Sequence, residues 1–185
     1  MKRKCIFLDR DGVLNRDEGY THKWQDHLLY EDVVPTLLRL QELGFLLVVV
    51  SNQSGVSRGF YDVDDVMNFN RSLCSRLSRS GVRMDIDRFF FCPHHPEENC
   101  SCRKPGTGLI EKAVRQHSIS LELSYMIGDR ESDVLAGRNA GMTTILLNRT
   151  QAVIPETGAD HVIHSLEEVL NIIDGGISGE STKTF

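Results

Sequence analysis

Apolar positions along this chain follow two alternating patterns. Residues 4–8 form a short apolar run and 45–50 a continuous apolar and β-branched one, and 86–91, 124–128 and 143–147 read as three further short strands. Such runs predict strands buried on both faces. Between them the apolar positions recur at helical spacing. Val34, Leu37, Leu38, Leu40 and Leu43 form one such series, and Val63, Val66, Met67, Asn70, Leu73, Cys74 and Leu77 another. Residues 109–117 and 131–140 predict two further helices. Gly44, Gly81 and Gly141 stand just past three of the helical stretches, where a chain leaves a helix. A short sixth strand is expected at 161–163 and a last helix at 166–173. From Gly175 onward the chain is polar and rich in glycine and serine, the composition of a flexible tail over 175–185.

Strand–helix alternation of this kind predicts an α/β fold. The expected architecture is a Rossmann-like three-layer sandwich with a central parallel sheet, as one domain over residues 1–174. No stretch is long enough for a large cap domain. In open parallel sheets ligands bind outside the carboxyl ends of the strands, so site chemistry is expected there.

Four successive strand ends carry such residues. The first runs into Asp9-Arg10-Asp11-Gly12 and the second into Ser51-Asn52-Gln53-Ser54-Gly55. The third leads to Cys92-Pro93-His94 and on to Cys102-Arg103-Lys104-Pro105, and the fourth ends in Gly128-Asp129-Arg130 with Asp133 one helical turn later. Any one of these is an ordinary turn composition; all four together point to a site. Asp9 and Asp129 on one sheet edge would repel each other unless a cation lay between them. Oxygen ligands alone select a hard ion, most simply Mg²⁺. A hydroxyl (Ser51), an amide (Asn52) and an ammonium (Lys104) beside that ion suit a phosphoryl group.

Asp-x-Asp-Gly, Ser-Asn, Lys-Pro ahead of a helix, and Gly-Asp-x-x-x-Asp resemble the four motifs of the haloacid-dehalogenase (HAD) phosphatase superfamily, over about residues 4–147. The resemblance implies that Asp9 is a nucleophile forming an aspartyl-phosphate and that Asp11 is the general acid and base. It implies that Ser51 and Lys104 bind the phosphoryl group. Mg²⁺ would be held by Asp9, Asp129 and the backbone carbonyl of Asp11, with Asp133 in support.

Residues 92–105 add a second chemistry. Cys92, His94, Cys100 and Cys102 make a Cys₃His set suited to a closed, structural Zn²⁺ site. His94 is preferred to His95 because Cys-x-His mirrors Cys-x-Cys. The ion would fold a loop too polar to hold itself and would fix Arg103 and Lys104, which follow directly. His22, His27, His117, His161 and His164 read as surface or loop residues, and Cys5 and Cys74 as core.

Cys-Pro-His…Cys-x-Cys-Arg-Lys-Pro resembles two branches of the superfamily, one acting on heptose 1,7-bisphosphate and one on histidinol phosphate. The segment from Asp9 to Tyr20 and the stretch Asn-Gln-Ser-Gly-Val-Ser-Arg-Gly from Asn52 resemble the loops of the heptose branch. This implies substrate contacts from Arg10, Asp17, Gly19, Tyr20, Asn52, Gln53 and Ser54. A bisphosphate also needs a second anion site, for which Arg58, Arg103 and Arg130 offer planar guanidinium forks. The implied reaction removes the 7-phosphate and leaves the 1-phosphate on the sugar, toward nucleotide-activated heptose for lipopolysaccharide or another surface glycan.

Composition narrows the remaining choices. Of 185 residues, 40% are hydrophobic and 25% charged, which excludes a disordered or collagen-like chain. The net charge of −5, without a basic stripe, argues against removal of 3′-phosphates from nucleic acid. The apolar stretch near the start ends at Asp9, too early for a signal peptide. No run approaches the ~20 residues of a membrane span. Five cysteines without an export signal argue against a disulfide framework. The expectation is a cytoplasmic protein that contacts neither membrane nor nucleic acid and acts as a monomer on a small phosphorylated sugar. A silent zinc-stabilised binding module would have to lack a nucleophile or metal ligand, and none of Asp9, Asp11, Lys104 and Asp129 is missing.

Overall fold

The computed structural model describes residues 2–150 and 157–179. Six strands form one parallel sheet: β1 (Cys5–Leu8), β2 (Leu46–Asn52), β3 (Phe89–Cys92), β4 (Tyr125–Gly128), β5 (Thr143–Leu147) and β6 (His161–Ile163). Their order across the sheet is β3-β2-β1-β4-β5-β6. Among the described residues five α-helices cover it: α1 (Val33–Glu42), α2 (Val63–Arg79), α3 (Gly108–His117), α4 (Glu131–Asn139) and α5 (Val169–Gly179).

Alternation along the strands builds two cores. Ile6, Leu8, Leu47 and Val49 face one side, against α1, α2 and α5 through Leu37, Leu73 and Ile173. Cys5, Phe7, Leu46, Val48 and Val50 face the other, against α3 and α4 through Ile110 and Ala136. Because β1 and β2 are buried on both faces, they read as unbroken apolar runs. Cys5 is fully buried and Cys74 packs at the edge of the first core.

The chain winds outward from β1 to β3, then returns to the other side of β1 as β4. The crevice of such a sheet opens at that switch, between the carboxyl ends of β1 and β4. Leu8 stands beside both Val49 and Ile127, and the Asp9 amide extends the ladder to the Ile127 carbonyl at 2.9 Å. Asp9 therefore leaves the sheet at the switch point. Among the described residues no cap domain covers this edge; the segments joining β1 to α1 and β2 to α2 approach it instead.

Two elements depart from the pattern-based expectation. Residues 86–88 form a 3₁₀ turn, not the start of β3, which begins at Phe89. Asp85, Asp87 and Arg88 make that segment polar; the Arg88 amide bonds the Asp85 carbonyl and its guanidinium the Asp85 carboxylate. The last helix divides into a 3₁₀ turn over Leu166–Glu168 and then α5. It runs to Gly179, past the expected start of the tail at Gly175; residues 180–185 lie outside the described residues. Among the described residues no helix is long and apolar enough to cross a membrane.

Candidate active site

The carboxyl edge of the sheet frames a cleft of about 330 Å³. Asp9 and Asp11 enter it from β1, Asn52 and Gln53 from β2, Arg103 and Lys104 from the loop after β3, and Asp133 from α4. Lys104 is buried and lies between carboxylates. Its Nζ donates to Asp9 Oδ1 at 2.9 Å and to the Val50 carbonyl at 2.7 Å, and it pairs with Asp133 Oδ1. The Asn52 side chain clamps the Lys104 backbone reciprocally, with both hydrogen bonds at 3.0 Å.

Glycine permits the crowding. A Cβ at Gly12, whose φ is +81, would stand 2.3 Å from Asp129 Oδ2. A Cβ at Gly128 would stand 2.1 Å from the Asp133 Cβ. Only glycine lets the first turn of α4 fold back on β4 while Asp129 meets the loop after β1. Asp133 is then anchored by the Arg130 amide, which donates to its Oδ2 at 3.1 Å.

The result is a strongly anionic cluster. Ligand oxygens of Asp9, Asp129 and Asp133 lie within 4.8 Å of one another. Burial pushes the Asp9 carboxyl up to about 7; Asp133, Asp129 and Asp11 push the same way against the opposing Lys104 charge. Asp129 is pushed up to about 6 by burial and then by Asp133. Its Oδ1 is buried and accepts no hydrogen bond. Three crowded carboxylates facing the Lys104 ammonium, with the Arg130 guanidinium 3.8 Å from Asp129 Oδ1 but not bonded to it, suit a hard divalent cation.

Asp11 differs. Burial opposes its ionisation, yet the Arg10 charge and hydrogen bonds from Arg10, Asn15 and Gln53 hold its carboxyl below the usual range. Gln53 Nε2 donates to both Asp11 Oδ2 (2.7 Å) and Ser51 Oγ (2.6 Å), and Tyr61 Oη donates to Gln53 Oε1 at 2.8 Å.

Comparison with known proteins agrees with this geometry. A HAD-hydrolase-like family model matches residues 101–169. The chain is 36% identical over 182 residues to a D-glycero-beta-D-manno-heptose-1,7-bisphosphate 7-phosphatase from Pasteurella multocida, covering 94% of this chain and 98% of that protein. It is 42% identical over 144 residues to the protein of the same name from Helicobacter pylori, covering 78% of this chain and 83% of that one. The chain belongs to this heptose-1,7-bisphosphate 7-phosphatase family of the HAD superfamily. A solved member, the D,D-heptose 1.7-bisphosphate phosphatase from B. bronchiseptica complexed with magnesium and phosphate, superposes with a TM-score of 0.78. It is 29% identical, and the match covers 94% of this chain and 99% of that one.

Within this family member the mouth of the cleft is built by Asp17, Gly19, Tyr20, Thr21, Ser54 and Arg130. Arg130 pairs across it with Asp17 at 3.0 Å. Arg103 also lines the cleft, and its Nη1 is buried without a hydrogen-bond partner. Tyr20, with φ at 52, packs edge-on against Phe60 from the loop after β2.

Three expected substrate or phosphoryl residues stand elsewhere. Arg58 is exposed and outside the cleft lining, on a turn where its amide bonds the Ser54 carbonyl. Ser51 is buried behind Gln53, not on the cleft wall. Arg10 is 1% exposed and turns away from the cleft into the first core. Its guanidinium lies 4.2 Å over the Phe69 ring and bonds Asp11, Asn70 and the Thr21 carbonyl. Held this way, the Arg10 guanidinium does not reach the cleft.

The loop after β3 gathers the sulfur ligands. Cys92, Cys100 and Cys102 Sγ atoms stand 3.2 to 3.5 Å apart, and His94 Nδ1 lies 3.1 Å from Cys102 and 3.4 Å from Cys92. Donors around one tetrahedral ion with bonds of about 2.3 Å to sulfur are separated by roughly this much. His95 serves the backbone instead, accepting from the Glu97 amide at the start of a 3₁₀ turn.

Five residues have positional roles that the motifs do not predict. Tyr61 orients Gln53, and Gly55 makes room for its ring, since a Cβ there would stand 2.3 Å from Tyr61. Asn15 and Asn70 reach Asp11 and Arg10. Arg149 forks onto Asp32 at 2.8 and 3.0 Å and donates to the Gly12 and Val13 carbonyls. For Gly55 and Gly12 the neighbouring glycines were a usable signal; the amides offered none.

Proposed function

We propose that this chain is a Mg²⁺-dependent phosphoric monoester hydrolase that removes the 7-phosphate of D-glycero-D-manno-heptose 1,7-bisphosphate. The observation that carries the reading is the meeting of Asp9, Lys104 and Asp133 in a cleft at the sheet's switch point, with Asp129 beside them and with Arg103 and Arg130 on the cleft lining. The names of the curated relatives favour heptose bisphosphate over histidinol phosphate.

Asp9 attacks phosphorus, the sugar oxygen leaves, and an aspartyl-phosphate results. Asp11, protonated by the water of the preceding turnover against the hold of Arg10, Asn15 and Gln53, gives the leaving oxygen its proton, then takes one from the water that cleaves the intermediate. Lys104 neutralises a phosphoryl oxygen and orients Asp9. Ser51 acts through Gln53, holding the amide that touches Asp11. Mg²⁺ would be held by Asp9, Asp129 and the Asp11 backbone carbonyl, with Asp133 in support, and supplies charge neutralisation when bound. Arg103 and Arg130 suit the distal phosphate, and Asp17, Gly19, Tyr20, Asn52 and Ser54 shape the sugar space. The Cys92, His94, Cys100 and Cys102 set would hold a structural Zn²⁺, fixing the turn that delivers Arg103 and Lys104. The reading treats residues 1–174 as one domain, active as a cytoplasmic monomer in surface-glycan precursor synthesis.

Phosphate release with Mg²⁺ from each heptose 1,7-bisphosphate anomer, beside histidinol phosphate, tests this. One bisphosphate anomer is expected to be preferred by about 100-fold, which is about 2.7 kcal/mol of transition-state discrimination. Preference for histidinol phosphate would overturn the substrate and keep the chemistry.

A further inference from the structure

Asp11 holds its carboxylate in a full set of donors. Oδ1 accepts from Arg10 Nε (3.1 Å) and Asn15 Nδ2 (2.9 Å); Oδ2 accepts from Arg10 Nη2 (2.9 Å) and Gln53 Nε2 (2.7 Å). Half of that set is one guanidinium, so the plane of Arg10 sets the plane of the carboxylate. Arg10 precedes Asp11 directly and belongs to the same loop. Something outside the loop must hold it if it is to act as a reference.

That outside support is α2. Arg10 Nη1 donates to Asn70 Oδ1 at 3.1 Å, and its guanidinium stacks on Phe69, the neighbouring residue of the same helix. Asn70 is 2% exposed, and its acceptor faces a cation in the core. Phe69 is itself braced edge-on by Trp24 at 5.4 Å. Nη2 also donates to the Thr21 carbonyl, next to Tyr20 at the cleft mouth. One buried side chain therefore joins the helix, the mouth loop and Asp11.

We infer that Asn70 is a positioning residue of this phosphatase, acting through Arg10 to hold the Asp11 carboxyl in line with the leaving oxygen. The inference rests on the reading of Asp11 as the general acid and base. A buried polar side chain retained only for packing would cost stability when removed and nothing specific to proton transfer. A positioning residue must show itself in the proton-dependent step.

The test compares two esters in single-turnover and burst kinetics with Mg²⁺. Heptose 1,7-bisphosphate has an alkoxide leaving group that needs a proton; p-nitrophenyl phosphate releases a stable phenolate that does not. Asn70→Ala is expected to slow phosphorylation of Asp9 by the sugar ester about 10- to 100-fold, within the range of general acid catalysis. KM should stay within about 2-fold, and the p-nitrophenolate burst within about 3-fold. Asn70→Asp keeps an acceptor for Arg10 and is expected to restore most of the sugar-ester rate. Arg10→Lys keeps the charge and loses the fork, so it should repeat the selective loss even if Asn70→Ala folds poorly. A sugar-ester burst unchanged in Asn70→Ala, or an equal loss on both esters, would overturn the inference. A parent protein that releases phosphate from neither ester with Mg²⁺ would overturn the phosphatase reading and the inference with it.

Discussion

At the scale of single residues, the site is a place where folding and function pull apart. Asp9 is buried among Asp11, Asp129 and Asp133, with Lys104 the cation that touches it; the buried Arg10 pairs with Asp11 instead. Removing its charge relieves that repulsion. Asp9→Asn is therefore expected to lower turnover by about 10⁴-fold or more, as loss of a nucleophile does. Without magnesium it should melt no lower than the parent, because the amide keeps the shape and drops the repulsive charge. Phosphate-release assays and thermal melts of the two proteins check this together. Retained turnover in Asp9→Asn would remove the proposed role of Asp9.

At the scale of elements, the loop after β3 is where a zinc cross-link at Cys92, His94, Cys100 and Cys102, if bound as proposed, would set the position of Lys104. Cys102 and Lys104 are separated by Arg103 alone, and Lys104 is clamped by Asn52 at the end of β2. The loop has few apolar residues of its own to fold it. About one equivalent of zinc per chain is expected by elemental analysis of the purified protein. Stripping it with a chelator should lower the melting temperature by about 5–10 °C, the effect of a few kcal/mol in a chain this size. Activity should fall in step with zinc content even at saturating magnesium. A fully folded, fully active metal-free preparation would refute the structural site.

Elements also show what can be read from a sequence. β5 lies where the apolar pattern predicts it, and β1 and β2 agree to within a residue or two at each end, because burial on both faces leaves an unmistakable run; β6, an edge strand with His161 and Val162 exposed, also lies at its expected position. β3 is an edge strand of four residues whose approach carries three charged side chains, and its start is set by hydrogen bonds of a turn that the pattern does not encode. The acidic and basic site residues were legible because each motif is contiguous and its strand end fixes its direction. Arg10 was not. Its local pattern is the same whether it faces a ligand or the core, and the partner that decides, Asn70, lies 60 residues away. Asn70 itself sits among apolar helical positions, where spacing marks it as buried but not as bonded.

At the scale of the whole molecule, the carboxylate cluster links proton binding, metal binding and folding. In an unfolded chain Asp9 and Asp129 would titrate near 3.9; in the fold they are pushed up to about 7 and about 6. Between about pH 4 and 7 the metal-free fold thus binds more protons than the unfolded chain. Against the opposite contribution of Asp11 and Asp160, which are held below their usual range, the contribution of Asp9 and Asp129 to stability therefore falls as pH rises through that window, by linkage. A cation held by the same carboxylates removes the cost, since it binds the charged forms. Two consequences follow in opposite directions. Without magnesium, the contribution of this cluster makes the protein less stable at pH 8 than at pH 5.5. With magnesium, the gain in melting temperature grows from pH 5.5 to 8, and the apparent magnesium affinity rises until about pH 7 and then levels. Melts across pH with and without saturating Mg²⁺, run on the parent and on Asp9→Asn, separate this cluster from every other titrating group. The pH dependence of the magnesium-induced shift should shrink in Asp9→Asn, because one of the two raised carboxyls is gone. An identical pH dependence in both proteins would show that the protons displaced by magnesium come from somewhere other than the switch point of the sheet.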